Sequence, residues 1–214
     1  LMSLVGWSTN PVSGKKDFSL INNDQELAMG AQAHRSILKQ KKPLNNPRIQ
    51  AYVNGIGQQL AKQSHRKDLK YTFTVLDDPS VNAFALPGGY IYITTGIMAY
   101  LNSEGELAGV LGHEIGHVVG RHSAERIAKE GLTQGIISGV LVGGGDGTGQ
   151  MAAMIGNVIN MKYGRGDELE SDDLGVRFML KAGYQPEEMI GVMQILKAAA
   201  GPNRVPEMQS THPD

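Results

Sequence analysis

Cysteine is absent from this chain of 214 residues. Its absence excludes disulfide bonds, thiol nucleophiles and the cysteine-based zinc sites. A metal ion, if the protein holds one, must therefore be bound by histidine, aspartate or glutamate. Since a chain without cysteine is stable in reducing and oxidising compartments alike, this absence does not indicate where the protein works.

Long apolar runs are also absent, and neither sign of charge dominates. The longest apolar stretch, GIISGVLVGGG, is interrupted by glycine and falls short of the roughly 18 residues that a membrane span needs. The 20 basic and 21 acidic residues are interspersed and give a net charge of -1. The sequence therefore predicts no transmembrane segment and no nucleic-acid partner, and an export signal is either missing or already removed.

What is present predicts an α+β fold that is mainly helical. Residues 1–22 lack periodicity and are predicted to form an extended N-terminal arm, followed by a single domain over 23–214. Strand-like alternation in KYTFTVLD and in NAFALPGGYIYITTG predicts a small sheet, with a Pro-Gly-Gly turn inside the second segment. Helical spacing predicts two helices before the sheet, the second beginning at Asn46 and Pro47. Further helices are predicted at about 96–101, 103–129, 132–142, 150–162, 166–182 and 186–199.

The segment HEIGH, residues 113–117, predicts a metal site on the helix that begins near Ser103. On a helix, His113 and His117 lie about 40° apart around the axis, so both imidazoles can converge on one ion. Glu114 is offset by about 100° and 60° from them and can reach a metal-bound water without being a ligand. The alternative is a pair of ordinary core or surface histidines. Four glycines surround the pair and favour close packing of other backbone segments against this helix.

A catalytic zinc site needs a third protein ligand, and the acidic segment RGDELESDDLG offers one. Glu168 and Asp172 share the helix face that is predicted to turn inward, whereas Glu170 and Asp173 share a solvated face. Two inward carboxylates are unfavourable unless they are paired or bind a metal. We therefore expect Glu168 to be the third ligand and Asp172 to orient a liganding histidine. Exchanged roles for these two acids, or an ordinary acidic surface helix, remain open alternatives.

The chain resembles a gluzincin metallopeptidase in three stretches, which are NAFALPGGYIYITTGIM, ELAGVLGHEIGHVVGRH and RGDELESDDLG. More narrowly, the chain resembles the family that includes the CaaX prenyl protease and the HtpX and Oma1 proteases, in its soluble bacterial branch. With the late STHP, the resemblance spans residues 82–213. Two departures are the ESDD that stands for the more usual EAD, and the lack of the membrane spans found in several relatives.

The resemblance implies a zincin-like domain with one zinc ion per chain, whose sheet lies beside the HExxH helix. It implies His113, His117 and Glu168 as ligands and Glu114 as the general base. It also implies that Asn82, Ala83, Phe84 and Ala85 pair with an extended protein or peptide substrate, although a buried core hairpin is the alternative for them. His212 would approach the site to cover the metal or stabilise the oxyanion, unless it is merely solvated.

The expected function is that of a zinc-dependent endopeptidase acting on unfolded or misassembled proteins, with Glu114 activating a zinc-bound water. The resemblance further implies the periplasm or cell envelope of a bacterium, with a lipid anchor upstream of this chain as one option. The alternative from another class is a chaperone-like or binding protein of the envelope that keeps the metal fold but cleaves little. Arg121 and His122, just past the metal helix, are expected to be structural.

Overall fold

The computed structural model describes residues 6–9, 16–19, 21–133 and 163–199. Two short strands, β1 (Gly6–Thr9) and β2 (Lys16–Ser19), pair antiparallel with each other. They lie in the segment for which an extended arm was predicted, and the division into an arm and a single domain stays a prediction. The predicted helices at 132–142 and 150–162 fall almost wholly outside the described residues.

A three-stranded sheet is built from β3 (Thr72–Leu76), β4 (Ala83–Leu86) and β5 (Tyr90–Thr94) in the order β3-β5-β4. The strands β4 and β5 form the predicted hairpin, and Pro87–Gly89 is the turn between them. Gly88 and Gly89 both have positive φ in this turn, which explains the glycine pair. Strand β3 runs parallel to β5, a pairing that alternation alone does not predict.

Helices cover both faces of this sheet. Helix α1 (Asn23–Gln40) is capped by Asn22, and α2 (Pro47–Ala61) begins as predicted with Asn46 as its cap and Pro47 at its first position. A short α3 (Thr95–Met98) follows β5. The second half of the chain supplies α4 (Glu104–Val119), α5 (His122–Thr133), α6 (Arg165–Ala182) and α7 (Glu187–Ala199).

The prediction of one continuous helix over 103–129 was wrong. The helix is interrupted between α4 and α5, because Gly120 caps the first helix and Arg121 adopts a left-handed φ of 59°. A left-handed residue cannot continue a right-handed helix. The second helix therefore starts in a new direction at His122, and this change of direction matters for the site.

Two apolar clusters lie on opposite faces of the sheet. Side chains alternate along β4, so that Phe84 packs towards α1 and α5 while Ala83 and Ala85 pack towards α4. The larger cluster joins the sheet to α2, α4, α6 and α7. Helix α4 is consequently buried along nearly its whole length, from Gly105 to Val119. Among the helices described, none combines the length and apolarity that crossing a membrane requires.

Candidate metal centre

Helix α4 carries two histidines whose imidazoles meet in the protein interior. The Nε2 atoms of His113 and His117 lie 3.0 Å apart, and the two rings are nearly perpendicular. Both side chains are buried, and so is Glu114 between them in sequence. The four-residue spacing thus brings both rings to one point, as the sequence predicts.

Helix α6 brings a carboxylate to the same point. The Oε2 atom of Glu168 lies 3.5 Å from Nε2 of His113, and its Oε1 atom lies 3.6 Å from Nε2 of His117. Glu168 is itself buried. Asp173 is exposed and pairs with Arg177 at 2.8 Å, as predicted for the outer face.

Glycines allow α6 to approach α4 closely enough for this contact. A Cβ atom on Gly116 would lie 2.7 Å from the Cα and carbonyl oxygen of Ser171. One on Gly175 would lie 2.9 Å from the backbone nitrogen of His113. Since real Cβ atoms do not come so near to backbone atoms, a larger residue at either position would force the helices apart. The glycines around HEIGH therefore serve the close packing that the sequence suggests.

The spacing of the three donors fits a metal ion. Ligand atoms that bind a tetrahedral ion such as zinc at about 2.0–2.1 Å lie about 3.3 Å from one another. The distances among His113, His117 and Glu168 are 3.0, 3.5 and 3.6 Å, which bracket that value. Within the described part of the chain, no second group of three such donors converges in this way.

Each histidine has a further partner on its other ring nitrogen. Nδ1 of His113 lies 2.7 Å from Oδ1 of Asp172, one turn beyond Glu168 on α6, where the sequence places an orienting carboxylate. Nδ1 of His117 lies 2.9 Å from Nδ1 of His122. Such partners hold a metal-binding ring in one orientation and one tautomer.

The electrostatics of the site also favour a cation. Burial raises the pKa of Glu114 well above its usual range, and the negative charge of Glu168 adds to the shift. Burial raises the pKa of Glu168 to about 7, although His113 opposes the shift. A divalent ion between these groups would stabilise both carboxylates in their charged form.

Tyr163 and Ser123 connect the metal centre to strand β4, first by a ring contact and then by two hydrogen bonds. The ring of Tyr163 stacks on His117 with 4.0 Å between ring centres. The hydroxyl groups of Tyr163 and Ser123 lie 2.7 Å apart, and Ser123 donates a hydrogen bond of 2.7 Å to the carbonyl of Ala85. Because the hydrogen of Ser123 is used for that bond, the Tyr163 hydroxyl donates to Ser123.

The predicted substrate residues, Asn82 and the first three residues of β4, are all buried and differ in the direction of their backbone groups. The backbone N–H of Thr94, on β5, donates to the carbonyl of Asn82. Because backbone groups alternate in direction along an antiparallel strand, those of Phe84 also point towards β5, whereas those of Ala83 and Ala85 point away from it. Phe84 stacks on Tyr92 in the core. The amide oxygen of Asn82 is buried and accepts no hydrogen bond from any described residue.

Sequence reasoning missed the positions of several residues around the centre. The sequence predicts a structural role for His122 and contains no signal that points to Ser123 or Tyr163. The helical spacing places Glu170 on the solvated face, but its side chain is only 31% exposed and lies 3.4 Å from His122. The one usable signal was Gly120, a helix-end residue that marks the break. His212 lies outside the described residues, so its predicted role is untested.

A buried HExxH helix with a carboxylate from a second helix beside it is the arrangement of a metallopeptidase. The comparisons with known proteins agree: residues 47–214 match Peptidase family M48. The chain therefore belongs to peptidase family M48, a family of metalloproteases whose members depend on a metal ion.

Its curated relatives are longer proteins. The chain is 26% identical over 216 residues to a beta-barrel assembly-enhancing protease of Escherichia coli, which covers 96% of this chain and 44% of that protein. The chain is 31% identical over 212 residues to a putative beta-barrel assembly-enhancing protease of Vibrio cholerae, and the match covers 91% of this chain and 43% of that protein. The chain is 30% identical over 209 residues to the mitochondrial metalloendopeptidase OMA1 of Schizosaccharomyces pombe, and the match covers 95% of this chain and 61% of that protein. The chain thus spans less than half of the bacterial relatives.

Proposed function

We propose that this protein is a zinc-dependent endopeptidase in which His113, His117 and Glu168 hold the ion and Glu114 is the general base. The observation that carries the proposal is the mutual spacing of the three buried donors, which suits a tetrahedral ion. Two imidazole nitrogens and one carboxylate oxygen form a donor set typical of catalytic zinc, which keeps a fourth position for water or substrate.

Zinc, when bound, supplies a Lewis acid that activates water and polarises the scissile carbonyl. Glu114 takes the proton from the attacking water and later returns it to the leaving amine. Its buried position suits this exchange, because burial already raises the pKa of its carboxyl group. Asp172 keeps the ring of His113 oriented with Nε2 towards the ion.

The outer edge of β4 supports an extended substrate. Ala83 directs its backbone N–H and carbonyl away from β5, where an added strand would pair with them. The amide oxygen of Asn82 is buried beside it and accepts no hydrogen bond from any described residue. Ser123 already occupies the carbonyl of Ala85, so the pairing would centre on Ala83. Phe84 contributes its backbone to β5 and its ring to the core.

For the substrate class, we propose unfolded or misassembled proteins, and for the location, the periplasm or envelope of a bacterium. The support is the similarity to the bacterial proteases whose name refers to β-barrel assembly. An edge strand that recognises backbone groups rather than side chains suits the varied extended segments of unfolded chains. His212 as an oxyanion donor stays a prediction.

The test is cleavage of casein by the zinc-loaded protein and by Glu114→Gln. The variant should bind zinc with unchanged stoichiometry and lose about 10²–10⁴-fold in turnover, because the amide cannot accept the proton. Glu187→Gln, an exposed glutamate on α7, is the matched control and should cleave like the wild type.

Retained turnover in Glu114→Gln would contradict the assignment of the general base. If neither protein cleaves although both hold zinc and bind unfolded protein, the chaperone-like alternative is the better account. Failure of the wild type to bind zinc would overturn the metal centre itself.

A further inference from the structure

His122 lies against the metal centre on the side away from Asp172. Its Nδ1 atom is 2.9 Å from Nδ1 of His117 and 3.4 Å from the hydroxyl of Ser171. Its Nε2 atom faces two carboxylates, Glu170 at 3.4 Å and Asp167 at 3.9 Å. The side chain is buried, so these polar contacts are not made in open solvent.

The direction of the hydrogen bonds follows from the position of the metal ligand atoms. His117 turns Nε2 towards His113 and Glu168, so this nitrogen must keep its lone pair in order to bind an ion. A neutral His117 then carries its proton on Nδ1. Two Nδ1 atoms 2.9 Å apart cannot both carry a proton, so His122 is the acceptor. The proton of a neutral His122 is then on Nε2, where Glu170 can accept the hydrogen bond at 3.4 Å and the carboxylate of Asp167 lies 3.9 Å away.

The helix break makes this contact geometrically feasible. In a continuous helix, residues five apart lie about 140° apart around the axis and about 7.5 Å apart along it, so their side chains do not meet. The left-handed Arg121 turns the chain so that the imidazole of His122 folds back over Gly120. A Cβ atom on Gly120 would overlap that ring.

A buried ion-pair network holds the break in place. Arg121 donates from Nε to Glu26 at 2.8 Å and from a terminal nitrogen to the carbonyl of Ile21 at 2.9 Å. Arg66 donates to the other oxygen of Glu26 at 2.8 Å and to the carbonyl of Val118 at 3.0 Å, at the end of α4. The end of α4 and its left-handed neighbour are thereby tied to α1.

We propose that His122 is a positioning residue for the metal centre: it accepts a hydrogen bond from the Nδ1–H group of His117, and the carboxylates of Glu170 and Asp167 at its other nitrogen orient it for that contact. The pair His117–His122 thus does for the second histidine what Asp172 does for the first. This inference rests on the proposed zinc centre and assigns a role to a residue outside the HExxH motif.

The first test reads the tautomers directly in the wild-type protein. With ¹⁵N-labelled histidine and bound zinc, long-range proton–nitrogen spectra should show His117 protonated at Nδ1 and His122 protonated at Nε2. A proton on Nδ1 of His122 would overturn the proposal, because that nitrogen could not then accept. This measurement requires no substitution and is independent of turnover.

The second test measures zinc affinity by chelator competition, together with the visible spectrum of the cobalt-loaded protein. His122→Phe, which fills the space but offers no acceptor, should weaken zinc binding by about 10–100-fold and change the spectrum. His122→Gln keeps an acceptor and a donor and should recover most of the affinity. The matched control is His34→Phe, which removes a histidine that instead bonds the Tyr92 hydroxyl on the α1 side of the sheet and should leave zinc affinity unchanged.

The outcomes separate this inference from the proposed function. If the wild type binds zinc and His122→Phe binds it within about threefold with an unchanged cobalt spectrum, His122 has only a packing role and the proposal is wrong. If the wild type binds no zinc, the proposed function fails first. Equal weakening in His122→Phe and His122→Gln would also count against an acceptor role.

Discussion

At the scale of single residues, two acids one turn apart on α6 occupy different positions. Glu168 is buried and lies within 3.6 Å of both imidazoles, whereas the side chain of Asp172 is 38% exposed and contacts His113 on the nitrogen that faces away from the donors. The helical spacing indicated that both acids turn inward, but it left their roles interchangeable. The geometry favours Glu168 as the ligand and Asp172 as the orienting partner.

We predict that Glu168→Gln and Asp172→Asn weaken zinc binding to different extents. Loss of the charged ligand oxygen in Glu168→Gln should lower the affinity by more than about 100-fold, the upper range for an outer partner. Asp172→Asn should lower it by about 10–100-fold, because His113 remains a ligand but is less firmly oriented. Chelator competition measures both values. A larger loss in Asp172→Asn than in Glu168→Gln would mean that the roles are exchanged.

At the scale of elements, the site depends on how closely α6 crosses α4. Gly116 packs against Ser171 and Gly112 packs against Gly175, so backbone meets backbone along the crossing. The distance of Glu168 from the two histidines is therefore set by residues that have no chemistry of their own. The sequence showed the glycines on α4 but not their partners on α6.

We predict that Gly116→Ala destabilises the protein by about 1–3 kcal/mol, because the new methyl group would lie 2.7 Å from the backbone of Ser171. It should also weaken zinc binding, since α6 must move and carry Glu168 with it. The matched control is Gly55→Ala in α2, where nothing lies within 4 Å of the new Cβ atom. That substitution should raise the free energy of unfolding by about 0.4–1 kcal/mol. Urea unfolding measures both changes, and equal effects at the two positions would contradict the close crossing.

At the scale of the whole molecule, the sheet lies between two helical layers that are joined by a buried charge network. Glu26 on α1 receives hydrogen bonds from Arg66 and Arg121, and each of the three side chains is largely buried. This network connects the α1 side of the fold to the end of the metal helix. Nothing in the sequence around Glu26 distinguishes it from a surface acid, because its partners are 40 and 95 residues away.

We predict that Glu26→Ala lowers the free energy of unfolding by about 3–5 kcal/mol, because it leaves two buried arginines without their shared carboxylate. The contrast is Asp173→Ala, which removes an exposed ion pair with Arg177 whose side chains are both 56% exposed. That substitution should change stability by no more than about 1 kcal/mol. Thermal or urea unfolding of the metal-free proteins measures the difference. Similar losses for the two substitutions would show that the Glu26 network adds little.

Whether the sequence predicted a feature of the structure depends on how far apart along the chain the contacting residues lie. Helices α1, α2, α6 and α7, the β4–β5 hairpin and the convergence of His113 with His117 are set by contacts within a few residues, so periodicity and capping predicted them. Glu168 and Asp172 could be singled out from the five acids of RGDELESDDLG because a helix has only one inward face, but the spacing did not decide which of the two is the ligand. The break after Gly120 was missed, because a helical pattern continues through it.

By itself, the sequence determined that any metal must be held by histidine and carboxylate and that one helix presents both histidines. For the third donor it indicated an acidic helix downstream. Only the tertiary structure decided which residues surround those donors. Strand β3 beside β5, Ser123 on the edge of β4, Tyr163 on His117 and His122 at its Nδ1 atom all depend on contacts between separate elements. The physical reason is that local patterns fix which face of a helix or strand is apolar, whereas packing fixes which atoms those faces bring together.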